Sequence, residues 1–179
     1  YLLKERLFMR IILFLFLGFA QLAACQSPNT PTTTKNTPIQ VPVYDNFADL
    51  APIFQYDNDT TYLINFWATW CKPCVEELPY IEQLHDDFPD AKLKIILVSM
   101  DFPKQIESHL IPFMQERQLQ SDVVVLTDGD VNTWIPMVDE SWGGAIPVSV
   151  LYKGQKRTFI GEAFADHEEL LTLVKEYIN

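Results

Sequence analysis

A chain of 179 residues that is 48% hydrophobic is expected to form one domain with a real core, not two. Its formal net charge of −11 argues against nucleic acid as a partner, because no basic surface is there to neutralise phosphates along a groove. Charged residues make up 21% and aromatic residues 13%, which suits a globular protein, and the acidity reads as solubility.

The first apolar segment reads as an export signal. Residues 11–20, IILFLFLGFA, form an apolar run of signal-peptide length, and Arg10 supplies its positive flank. Extended through Ala24, the run is still short for a stable span of the bilayer. Met9-Arg10 has the form of a start, which would make residues 1–8 an upstream extension. The run ends in Leu22-Ala23-Ala24-Cys25, which resembles the bacterial lipobox, where the cysteine is lipidated and becomes the mature N-terminus. Residues 1–25 are therefore expected to be a signal peptide with its lipobox ending at Cys25. The domain would then be an extracytoplasmic, membrane-anchored lipoprotein, on the periplasmic side if the envelope has two membranes. An ordinary cleaved signal or an uncleaved anchor, with Cys25 incidental, leads to the same side of the membrane.

Residues 26–42, with four Pro, five Thr and no apolar period, read as a disordered tether. The folded domain is then residues 43–179, and it holds one cysteine pair, Cys71 and Cys74. A disulfide closing so short a loop constrains the unfolded chain little, so the pair reads as chemical rather than as a structural staple.

Within the domain, Phe47, Leu50, Ile53 and Phe54 have helical spacing. Residues 61–67, TYLINFW, read as a buried strand. Val75, Leu78, Ile81, Leu84 and Phe88 mark a helix over 72–87, with Pro79 expected to kink it. Residues 93–100 are a second buried strand. Residues 104–117 look helical, with Pro112 weakening the second half, and 123–126 form a short strand. A short helix interrupted by Pro136 follows over 131–138. Residues 148–152 and 157–161, joined by Lys153-Gly154, read as an antiparallel hairpin, and a last helix runs from Ala165 or Asp166 to Ile178. Alternating strands and helices argue for an α/β fold with a largely parallel sheet covered on both faces.

The chemistry sits in T-W-C-K-P-C-V, residues 69–75, where a strand runs into the start of a helix. Free N–H groups and the positive end of the helix dipole favour a thiolate at such a position. Cys71 is the better-exposed candidate nucleophile. Cys74, one turn later on the same face, would resolve a mixed disulfide formed at Cys71. Pro73 suits the first turn, and Lys72 adds local positive charge.

The segment N-F-W-A-T-W-C-K-P-C-V-E-E-L-P resembles the active site of thioredoxin-fold proteins, and more closely that of the TlpA/ResA-like thiol-disulfide oxidoreductases. The resemblance covers residues 43–179 and rests on Phe66-Trp67-Ala68, Trp70, Cys71, Pro73, Cys74 and Pro79. It implies a thioredoxin-like fold, a central mixed β-sheet flanked by helices, with an extra helix–strand insertion that residues 101–127 would supply. It implies that Gly144-Ala145-Ile146-Pro147-Val148 is the loop beside the dithiol, with a cis Ile146–Pro147 bond. Trp70, Ile146 and Pro147 would then contact substrate. Thioredoxins have a buried acid where Asn65 stands, whereas Glu77 matches a glutamate that ResA-like proteins keep near the site, which makes Glu77 the candidate for proton transfer. The alternative for Glu77 is a first-turn residue complementing the helix dipole. The expected cofactor is none beyond a redox-active Cys71–Cys74 disulfide, and no metal. The expected partners are disulfide-containing protein substrates, a membrane thiol donor and the membrane itself through the N-terminal lipid, with the domain a monomer.

Other readings are weaker. A copper-delivery module would need more soft ligands than one CxxC offers. The pattern of a single peroxidatic cysteine preceded by Pro and Thr is absent. A non-catalytic thioredoxin-fold adaptor would tolerate loss of Cys71. His85, His109 and His167 are isolated, Asp128-Gly129-Asp130 reads as a turn, and Trp142 reads equally as core or as a wall beside the dithiol.

Overall fold

Two strands without a polar face organise the structure. In the computed structural model, which describes residues 40–178, β2 (Thr61–Trp67) is buried at all seven positions. It pairs in parallel with β3 (Leu93–Ser99), from Thr61↔Leu93 to Trp67↔Ser99. Strands this apolar belong in a sheet covered on both faces. The residues read as a signal segment, Cys25 and nearly all of those read as a tether lie outside the described residues.

Six strands form one mixed sheet in the order β1-β4-β3-β2-β5-β6. β1 (Val43–Tyr44) and β4 (Asp122–Leu126) extend the parallel side, and β5 (Val148–Lys153) with β6 (Lys156–Ile160) forms the antiparallel side. The expected hairpin turns at Gly154, whose φ of +54° favours glycine. β1 was not expected: two residues are too few to show a strand period. Its neighbours also join the sheet, since the Pro42 carbonyl accepts from Val125 N at 2.8 Å and Val41 packs on the core. The last residues read as tether therefore belong to the fold.

Side-chain alternation splits the core in two. Leu63, Trp67, Ile95, Leu97, Val123 and Leu151 pack beneath α2 (Lys72–Asp87), α3 (Ile111–Arg117) and α5 (His167–Ile178). Tyr62, Ile64, Phe66, Ile96, Val98, Val148, Val150 and Tyr152 face α1 (Phe47–Leu50) and α4 (Val131–Val138). The second face is strongly aromatic. Trp134 stacks on Phe47 at 5.3 Å, and Trp142 lies 4.7 Å from Phe66 and 5.6 Å edge-on to Trp134. Trp142 is thus core. Tyr152 stacks on Tyr62 at 4.9 Å and donates its hydroxyl to the Ile53 carbonyl at 2.6 Å. Tyr152→Phe keeps the ring and removes that donor, and should cost about 1–2 kcal/mol in chemical denaturation.

The insertion expected over residues 101–127 is present, but it is irregular at its start. A 3₁₀ turn (Pro103–Gln105) leads into a π-helical turn (Ile106–Leu110) and only then into α3. The irregularity precedes Pro112 rather than following it. A proline ring clashes with the carbonyl four residues back and leaves it without a donor, and a widened turn relieves both problems. α4 runs through Pro136 uninterrupted. Pro136 and Asn132 both face solvent, so water can meet the carbonyl the proline leaves free. α2 likewise continues through the exposed Pro79. Among the described residues no helix is long and apolar enough to cross a membrane.

Candidate active site

The carboxyl ends of β2 and β3 and the start of β5 lie at one edge of the sheet, because Trp67 pairs with Ser99 and Phe66 with Val148. In open α/β sheets this edge is where ligands bind. Cys71 caps α2 there. Its backbone is extended (φ −90°, ψ 104°), and its sulfur accepts from Cys74 N at 3.4 Å, so the sulfur does the work of a capping oxygen. Pro73 occupies the first turn of the helix, where no N–H is needed. Lys72 lies 3.5 Å from Glu76 across one exposed turn, which offsets part of the charge it would lend the site.

Cys71 and Cys74 are joined by a disulfide. Cys71 is 6% exposed and Cys74 is 0% exposed, so an incoming sulfur can reach only Cys71. The Ile146–Pro147 peptide is cis, and the Ile146 carbonyl oxygen lies 3.7 Å from Cys71 Sγ. As a disulfide that sulfur has no proton to give; the reduced thiol would. Two contacts hold this loop from behind. Trp142 Nε1 donates to the Ala145 carbonyl at 2.7 Å. Gly144 has φ +86°, and a Cβ there would stand 3.2 Å from Ile135 Cδ1.

A polar network lies buried beneath the pair. Glu77, one turn after Cys74, is 2% exposed. Its Oε1 accepts from Asn65 Nδ2 at 2.7 Å and its Oε2 from Phe164 N at 2.9 Å. Asn65 Nδ2 also donates to Ser149 Oγ at 3.0 Å, and Asn65 and Ser149 are cross-strand partners on β2 and β5. Burial raises the Glu77 pKa from 4.5 to about 6, against the two N–H donors that lower it. Glu77 lies beyond the first turn of α2, so it is not the surface residue complementing the helix dipole that the sequence also allowed.

A second buried carboxylate holds the loop ahead of Cys71. Asp101 is 1% exposed and accepts from Thr69 N at 3.1 Å, from Thr69 Oγ1, and from Ser99 Oγ at 2.8 Å. Ser149, Phe164, Thr69 and Asp101 were missed in the sequence. Ser149 left a signal, since a lone serine stands in the apolar run VSVLY just as Asn65 does in LINFW. Nothing in the sequence pointed to the Phe164 N–H.

The three histidines take partners away from the dithiol. His85 meets Ser121 Oγ at 3.0 Å, His109 meets Ser108 Oγ at 2.8 Å, and His167 bridges Asp87 Oδ2 at 2.8 Å and the Tyr80 carbonyl at 3.2 Å. Asp128 makes the expected turn, accepting from Asp130 N at 2.9 Å, and also accepts from Phe47 N at 2.9 Å. Among the described residues no group of three His, Cys, Asp or Glu is placed to hold a metal.

A CxxC pair capping the first long helix, on a mixed sheet of this order with a proline loop against the sulfur, defines a thioredoxin-like protein. The AhpC/TSA family profile matches residues 50–157, more than half of the chain, and the chain belongs to that family. The thiol-disulfide oxidoreductase ResA of Oceanobacillus iheyensis is 44% identical over 39 residues, which is 22% of this chain and 20% of that protein. The thioredoxin-like protein YneN of Bacillus subtilis is 35% identical over 63 residues, 35% of this chain and 36% of that protein. The chain thus spans well under half the length of these curated relatives. A crystal structure of a thiol:disulfide interchange protein of the thioredoxin family from Chlorobium tepidum superposes with a TM-score of 0.57 at 20% identity, covering 68% of this chain and 81% of that one. At that identity the likeness shows the fold alone.

Proposed function

We propose that this protein is a thiol-disulfide oxidoreductase that reduces disulfides in protein substrates, held outside the cytoplasm by a lipid on Cys25. The observation that carries the reaction is the unequal access of the two sulfurs: Cys71 at the helix N-terminus and reachable, Cys74 sealed behind it. The similarity to ResA, named a thiol-disulfide oxidoreductase, supports the same reading.

The reaction starts from the dithiol. The Cys71 thiolate attacks one sulfur of a substrate disulfide, a Cys71–substrate bond forms, and the other substrate sulfur leaves as a thiolate that takes up a proton. Cys74 then loses its proton, with the Glu77 carboxylate as the acceptor, and attacks Cys71 Sγ. The Cys71–Cys74 disulfide forms and the second substrate thiolate is released. Two electrons pass from the dithiol to the substrate, and a dithiol donor of the membrane returns them in a second exchange of the same kind. Trp70, Ile146 and Pro147 would hold the substrate chain during the mixed disulfide.

The test is reduction of insulin disulfides by the protein, together with the reduction potential of the Cys71–Cys74 couple. Turnover with dithiothreitol and a potential below that of the glutathione pool are expected. A disulfide that no thiol reagent reduces, with no insulin turnover, would sink the proposal. Peroxide consumption in place of disulfide exchange would move the activity elsewhere within the AhpC/TSA family.

A further inference from the structure

Few large apolar side chains are left exposed among the described residues, and two of them touch. Trp70 is 52% exposed and Phe102 is 62% exposed, and their rings stack at 6.1 Å with planes 20° apart. Neither ring is covered by the contact, so together they present an apolar surface that the fold itself does not use.

The pair is held by buried groups, not by the rings alone. Thr69 and Asp101, the residues just before Trp70 and Phe102, are locked to each other through the Asp101 carboxylate, which Ser99 Oγ also supports. Met100 N donates to the Trp67 carbonyl at 2.7 Å and ties the same two loops once more. The aromatic surface therefore needs little ordering when it meets a ligand, the property that makes rigid aromatic residues effective at contacts.

Its position fixes the occupant. Trp70 is the chain neighbour of Cys71, the one sulfur an incoming disulfide can reach. A polypeptide joined to Cys71 Sγ sits against the Ile146 carbonyl, 3.7 Å from that sulfur, and within one residue of Trp70 and the ring stacked on it. We infer that the Trp70–Phe102 pair docks a large apolar side chain standing next to the cysteine of the polypeptide being reduced, and that Phe102 is a specificity-determining residue. The inference rests on the exchange reaction proposed above.

Three disulfides separate the possibilities. Two are short peptides carrying one cysteine capped by 2-mercaptoethanol, with either Leu or Ser beside the cysteine. The third is hydroxyethyl disulfide, which has no side chain to dock. Reduced protein should favour the Leu peptide over the Ser peptide by about tenfold in kcat/KM, the scale at which an apolar pocket discriminates. Phe102→Ser should bring the two peptides level while leaving the rate with hydroxyethyl disulfide and the Cys71–Cys74 potential unchanged. Phe102→Leu should keep most of the preference. Equal rates for the two peptides with unmodified protein, an unchanged preference in F102S, or an equal loss on all three substrates would each overturn the inference while leaving the exchange reaction standing. No reaction with any of the three disulfides would remove both.

Discussion

Cys74→Ser should stop the cycle at the mixed disulfide. With the resolving sulfur gone, Cys71 still attacks a substrate disulfide, but nothing on the protein can release the product. Incubation with a disulfide-containing protein should yield a covalent complex that survives denaturation and collapses on adding dithiothreitol. Cys71→Ser should yield neither complex nor turnover, since Cys74 is fully buried and cannot replace it. Mass spectrometry of the trapped species checks both. A complex linked through Cys74, or undiminished turnover in Cys71→Ser, would reverse the assigned roles or reduce the protein to a non-catalytic adaptor. Both substitutions act this strongly because each removes a bond-forming atom.

Glu77→Gln should slow the resolving step by about a hundredfold, the lower range for loss of a placed acid–base group. The rate of that step against pH should show an inflection near pH 6 in the unmodified protein, set by the raised pKa of the buried carboxyl. That inflection should be absent in E77Q, as followed by stopped-flow quenching with a fluorescent peptide disulfide. An inflection that persists in E77Q would assign the proton to another group. Stability carries the same signature. Because the folded pKa of about 6 lies above the reference value of 4.5, the native state holds this proton more tightly than the unfolded chain. The group's contribution is complete below pH 4.5 and is lost as pH rises through 6, a swing of about 2 kcal/mol. E77Q should lack that fall. Its absolute stability should also drop, because an amide has only one acceptor oxygen for the two N–H donors of Asn65 and Phe164.

Much of this site could be read from the chain because its chemistry is local. Cys71, Pro73, Cys74 and Glu77 fall within seven residues, on one strand–helix junction whose apolar pattern is unambiguous. The sheet was legible for a similar reason: β2, β3 and β5 are dense apolar runs. What escaped depended on distance or on main-chain atoms. The Phe164 N–H that holds Glu77 comes from 87 residues away and carries no side-chain signature. Asp101 reaches Thr69 across 32 residues, and only the side-by-side pairing of β2 and β3 brings them together. β1 is too short to announce itself, and the π-helical turn ahead of Pro112 answers a steric conflict that residue spacing does not display.

The Asn65–Ser149 contact also bears on how the sheet finds its alignment. These are the polar residues at the centre of two otherwise apolar strands, and they meet only in the observed pairing of β2 with β5. Were β5 to slide by one position, Ser149 would turn toward the aromatic layer of Phe66 and Trp142, and Asn65 would lose its neighbour. Ser149 would then sit in the interior unpaired, at a cost of about 1–3 kcal/mol, and Asn65 would keep only its bond to Glu77. Asn65, which holds Glu77, and its partner Ser149 thus also act as a dowel, pinning the antiparallel half of the sheet to the parallel half.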